Sequence, residues 1–204
     1  MTLKSKVQLI PWDPESPDHV QRLVEQRLQC GWHAVRVASK WRDEQRAGSK
    51  CLYWIQKNAI KDTASSFWGV PRSPSTAEIH PIGHISIDRG NKEAEPLNLD
   101  LPDSGVYWIK TFYISNVLQN NGVGRAAMDM IETMATEAPL YARALALDTL
   151  FAGKGPQPRK MSNHEWYARR GYREIKVVQN YYQDPDPEGK IWDSETVFMR
   201  RDIS

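Results

Sequence analysis

Residues 106–138 read VYWIKTFYISNVLQNNGVGRAAMDMIETMATEA, and this stretch decides the fold. Val106–Ser115 is dense in aromatic and β-branched residues, which makes it the strongest strand of the chain. From Asn121 to Ala138 the period changes. Ala126, Ala127, Met130, Ile131 and Met134 form an apolar stripe at helical spacing, and Pro139 ends it. Gln119-Asn120-Asn121-Gly122-Val123-Gly124-Arg125 joins the two elements. Glycines there let backbone N–H groups approach a ligand with no Cβ in the way. A helix N-terminus adds about half a positive charge and several unpaired donors. A phosphate or pyrophosphate is the natural guest, and Arg125 contributes a cation. The same residues also fit a Gly-rich turn that binds nothing.

Upstream, Val7–Ile10 is a short strand closed by Pro11. His19–Gln29 is a helix ending at Gly31, and Val37–Arg46 is a second, with Val37 and Trp41 on one face. Leu52–Ile55 and Ile82–Asp88 read as strands. Asn58–Pro81, with its Ser, Thr and Pro clusters, reads as an irregular insertion. Gly90–Gly105 is a polar loop. Downstream, Ala144–Leu150 is a buried strand and Phe151–Lys160 a Gly/Pro-rich basic loop. Ser162–Arg170 is a short helix opened by a Ser162/Glu165 capping box. Strands near Glu174–Tyr182 and Glu195–Arg200 close the chain. The order implies an α/β (α+β) mixed sheet covered by helices, in one domain spanning 1–204.

Composition narrows the function. The chain has 204 residues, 27 Lys and Arg against 25 Asp and Glu, and a net charge of +2. That balance gives no global attraction to nucleic acid or anionic membranes. Two cysteines, Cys30 and Cys51, cannot build a disulfide framework. No His/Cys/Asp/Glu group has metal-ligand spacing, so no metal is expected. No run approaches the ~18 apolar residues of a membrane span, and residues 1–14 lack a signal-peptide core. A cytoplasmic location is expected. Eight tryptophans are the unusual feature.

Three ligand readings compete for the glycine motif. A P-loop is excluded because no Gly-Lys-Ser/Thr follows. A dinucleotide fingerprint fits Gly122-Val123-Gly124-Arg125-Ala126-Ala127, with Asp148 about 20 residues beyond. Against it, Asn116–Asn121 separates the motif from its strand, and the 56 residues after Asp148 are too few for that fold. The third reading is a resemblance. Gln119-x-x-Gly122-x-Gly124 resembles the Q/R-x-x-G-x-G/A motif of the GNAT superfamily, the Gcn5-related N-acetyltransferases. Asn163-His164-Glu165-Trp166-Tyr167-Ala168-Arg169-Arg170-Gly171-Tyr172 is similar to its second motif, although Asn163 stands four residues before the Tyr where the family's Asn stands seven before.

The resemblance implies a mostly antiparallel twisted sheet of about seven strands. It also implies direct attack of an amine on acetyl-CoA, the co-substrate, in a ternary complex. Gln119 to Ala126, through Asn120, Asn121, Gly122, Val123, Gly124 and Arg125, would hold the pyrophosphate. The backbone of Phe112 and Ile114 would align the pantetheine arm, and Asn163 is a further cofactor contact. Tyr167 matches the family's acid for the leaving thiolate. Asp148 is the candidate base, and Tyr181 and Tyr182 are placed on the substrate side. Trp68 and Trp192, both in loops, are candidates for the substrate mouth. His84 on its strand reads as structural. The expected acceptor is a small primary amine, first an amino sugar such as glucosamine. A protein Lys or N-terminus, a non-catalytic acyl-CoA sensor and a nicotinamide-dependent oxidoreductase are the alternatives. A monomer or homodimer is expected.

Overall fold

The computed structural model describes residues 7–75, 78–151, 162–182, 191 and 194–203. Strand β1 (Leu9–Pro11) leads into α1 (Pro17–Cys30), then a π-helical turn (Val37–Trp41) that runs into α2 (Arg42–Arg46). There follow β2 (Lys50–Lys61), a small ribbon of β3 (Ser66–Phe67) and β4 (Val70–Pro71), β5 (Glu78–Asp88) and β6 (Val106–Ile114). The remaining elements are α3 (Val123–Thr136), β7 (Ala144–Leu150), α4 (Asn163–Ala168), β8 (Arg173–Gln179) and β9 (Glu195–Asp202). Seven strands form one sheet in the order β1-β2-β5-β6-β7-β9-β8. No described helix is long and apolar enough to cross a membrane.

Three strand boundaries differ most from those expected. Asn58–Pro81 is not an irregular insertion throughout, because β2 runs on to Lys61 and β5 begins at Glu78. The pairing of these strands shifts register between Ile55 and Gln56 and again before Ile60. Such irregularities break the period of two that marks a strand in sequence. The strand expected through Tyr182 stops at Gln179, because Asn180 enters the left-handed region at φ 51°. Asn180 is held there by its N–H to Ser194 O (2.7 Å) and by Ser194 N–H to its own Oδ1 (2.9 Å).

The chain divides into two compact units, Met1–Arg89 with Ile109–Met134, and Gly90–Trp108 with Ala135–Ser204. In the first, Gly31 ends α1 at φ 84°, as the sequence expects, and Ser16 caps its start. Trp12, Leu23, Val37, Trp41, Leu52 and Trp54 make its core. Each buried indole needs a partner for its N–H. Trp54 Nε1 donates to His19 Nδ1 (3.0 Å) and Trp12 Nε1 to His19 O (3.1 Å). His84 lies fully buried on β5, with Nδ1 2.7 Å from Gln26 Oε1 and Nε2 3.4 Å from Arg27 Nη1. Burial and the nearby cations Arg27 and Lys50 hold its pKa well below the usual 6.5, so the ring is neutral. It then donates to Gln26 and accepts from Arg27. In the second unit Ala94, Trp108, Ala146 and Phe198 form the core, with β7 antiparallel to β9 and Asp148 opposite Phe198.

Gly83 on β5 permits a close backbone approach. A Cβ there would stand 2.2 Å from Tyr113 O. Gly83→Ala is therefore expected to cost about 3 kcal/mol, read as a lowered denaturant midpoint. Asp62, buried, accepts from Arg72 Nη1 (2.7 Å) and Nη2 (2.8 Å), and from Ser75 N and Oγ (3.0 Å each). These donors, chiefly Arg72, lower its pKa from 3.8 to about 2. A depressed carboxylate stabilises the fold above its unfolded pKa and loses that contribution as pH falls through the folded value. Asp62→Asn is expected to cost about 2 kcal/mol at pH 6, and the gap from wild type should close as pH falls toward 2 in urea titrations.

Candidate active site

The loop after β6 is built to present donors. Residues Asn116–Leu118 make one 3-10 turn, and Asn120 and Gly122 follow with φ of 65° and 80°. Asn tolerates the left-handed region and Gly is at ease in it. Gln119 Nε2 donates to Ile114 O (3.0 Å) and to Asn116 Oδ1 (3.1 Å), tying the loop to the end of β6. Ala126 N–H donates to Gly122 O (3.0 Å) as α3 begins. The N–H groups of Val123, Gly124 and Arg125 precede that bond, so they have no carbonyl partner within the helix. Arg125 is exposed beside them. A Cβ on Gly124 would lie 3.5 Å from Phe112 Cζ and 3.9 Å from Ile114 Cγ1, an ordinary contact. Packing alone does not demand glycine at 124. Its bareness suits a ligand that comes close to the backbone.

The second unit carries the candidate acid and base. Asp148 lies on β7, just past the fully buried run Ala144–Ala146. The Tyr182 hydroxyl donates a hydrogen bond to Asp148 Oδ2. Burial and the Asp148 carboxylate push the Tyr182 pKa well above its ordinary 10, so the phenol stays protonated. Tyr181 packs edge-on against Tyr182 (4.8 Å) and Phe198 (5.0 Å). Tyr167 is buried on α4, with its ring 5.0 Å from Trp166 and 5.8 Å from Tyr172. The Ser162–Glu165 capping box starts that helix as expected.

A family model described as acetyltransferase (GNAT) family matches residues 34–154. The chain belongs to this GNAT family. It is an N-acetyltransferase, and its acetyl donor is acetyl-CoA. No curated protein matches its sequence. Three solved structures show the same fold. A GNAT acetyltransferase from Elizabethkingia anophelis with acetyl-CoA bound is 15% identical, with 98% of this chain and 99% of that chain covered and a TM-score of 0.55. NAA60 from Arabidopsis thaliana with a bisubstrate analogue is 12% identical, covering 97% and 99%, at 0.62. The aminoglycoside 6'-N-acetyltransferase from Enterococcus faecium is 15% identical, covering 97% of each chain, at 0.56. GNAT membership removes the dinucleotide reading of Gly122–Ala127.

The residues suit acetyl-CoA. A left-handed loop, bare glycines and the first turn of a fourteen-residue helix are what a pyrophosphate requires. Trp68 is buried, with the Arg89 guanidinium 5.1 Å from its ring and Gly48 against its backbone. Asn163 is the exposed first residue of α4. Trp192, and Lys154, Arg159 and Lys160 of the basic loop, lie outside the described residues. Sequence reasoning overlooked Thr111, which sits inside β6 at φ 51°. Nothing in the residue pattern marks it, because Thr is an ordinary strand residue.

The Gln119 brace has a measurable consequence. Gln119→Leu removes both donors while keeping the size of the side chain. The Kd for acetyl-CoA is expected to rise about tenfold in calorimetry with the melting temperature nearly unchanged.

Proposed function

We propose that this enzyme acetylates the primary amine of a small molecule by direct attack within a ternary complex, with an amino sugar such as glucosamine as first candidate. The observation that carries this reading is the Asp148 carboxylate bonded to the Tyr182 phenol, with Tyr181 beside it. A carboxylate attracts an ammonium group, and aromatic faces suit a sugar ring. The aminoglycoside enzyme among the similar folds, named for a small amine, agrees with this choice.

Acetyl-CoA supplies the acetyl group as a thioester, whose carbon accepts a neutral amine as the C–S bond breaks. An alkyl amine is mostly protonated near neutrality, with a pKa near 10.4, so a base is required. Asp148 takes that proton. The raised Tyr182 pKa supports giving the basic role within the pair to the carboxylate, since the phenol keeps its own proton. Tyr167 gives a proton to the departing sulfur. Val123 to Arg125 and the loop before them hold the pyrophosphate, and Phe112 and Ile114 align the pantetheine arm.

The test is an amine panel with acetyl-CoA, read by free thiol and by product mass. Glucosamine is expected to react faster than a lysine peptide or a free N-terminal peptide. Faster acetylation of either peptide, or no thiol release with any amine, overturns the reading. Tyr167→Phe should lower kcat by about a hundredfold at saturation. Asp148→Asn should abolish the acid limb of the kcat/KM profile, and an unchanged limb would remove Asp148 from the chemistry.

A further inference from the structure

Thr111 is a β-branched residue at φ 51° in the middle of β6. L residues branched at Cβ are strained there, so neighbouring groups must hold the conformation. A left-handed residue inside a strand also rotates the next peptide plane away from its regular place in the ladder. The peptide concerned is Thr111–Phe112.

Ser86 on β5 is the residue that grips this turn. It is fully buried. Its Oγ accepts from Thr111 Oγ1 (3.0 Å) and from Lys50 Nζ (3.2 Å), and donates to Lys110 O (3.1 Å). Two accepted bonds and one donated bond exhaust a hydroxyl. Ser86 therefore has one orientation. Lys50 is buried and equally constrained. Its ammonium lies 2.7 Å from Asp88 Oδ2 and 5.3 Å from the centroid of Trp41. A buried cation is costly unless it is paired, and this one also fixes a serine. A chain of contacts runs from Trp41 through Lys50 and Ser86 to the carbonyl that precedes the strained residue and to that residue's own hydroxyl.

We propose that Ser86, locked by Lys50, is a positioning residue for acetyl transfer: it holds the Thr111 turn so that the Phe112 N–H meets the thioester carbonyl of acetyl-CoA. This rests on the reading that Phe112 lines the acyl donor. A donor aimed in advance at that oxygen stabilises charge developing during attack, and it works only if its peptide cannot relax. The Lys50–Ser86–Thr111 chain supplies that rigidity.

The experiment needs no amine acceptor. Isotope-edited infrared difference spectra with carbonyl-¹³C acetyl-CoA report the bound thioester stretch, and calorimetry gives Kd for acetyl-CoA and for CoA. Wild type should shift the stretch to lower frequency. Ser86→Ala and Thr111→Val should each lose most of that shift. Each should raise Kd for acetyl-CoA about fivefold while that for CoA stays within about twofold. Thr111→Ser keeps the hydroxyl and should match wild type. A full shift and an unchanged affinity ratio in both variants overturn the proposal, whatever their melting temperatures. If Ser86→Ala does not fold, Thr111→Val decides alone. An unshifted stretch in bound wild type also overturns it, together with the placement of Phe112. The transfer reading fails separately, if wild type shifts the carbonyl yet acetylates no amine.

Discussion

Strand β6 carries a left-handed residue in its middle, and a chain of buried polar groups in the first unit holds it there. Thr111 adopts a conformation that its branched side chain resists. The hydroxyl of Ser86 holds it, and Lys50, Asp88 and Trp41 hold Ser86. Nearby, Gly83 lets β5 approach the Tyr113 carbonyl more closely than any side chain would permit. Beyond the strand, Gln119 ties the glycine loop back to Ile114 O. The donors at the start of α3 therefore follow a strand whose course is constrained at its middle and at its C-terminal end.

Three buried polar groups of this unit share one feature. His19 accepts from Trp54, His84 sits between Gln26 and Arg27, and Lys50 pairs with Asp88. Each group would be costly alone and is tolerable because its partners have fixed orientations. Trp12, Trp41, Trp54, Trp68 and Trp108 are all buried, and Trp12 and Trp54 share one histidine as acceptor.

Legibility in the sequence followed the range of the forces involved. Strand β7 and the stripe of α3 were readable because apolar periodicity is local. So were the stop at Gly31 and the Ser162–Glu165 cap, since each involves residues a few positions apart. The extension of β2 to Lys61 was hidden because shifts in pairing broke its alternation. The end of β8 depended on Asn180 and Ser194, fourteen residues apart. The Asp148–Tyr182 bond joins positions 34 apart, and neither residue type announces the other.

By itself the sequence determined the class of protein. A strand, a glycine loop and an amphipathic helix in that order resemble the GNAT motif and made this stretch the candidate for holding the acyl donor, because helix termini and bare backbone are local properties of a chain. Only the tertiary structure decided which side chains meet. It bonded Tyr182 to Asp148, buried Trp68 under Arg89, and used Ser86 and Lys50 to hold Thr111 against its preference. The physical reason is that hydrogen bonds and ion pairs act over a few ångströms in space, between residues that the chain brings together only once it has folded.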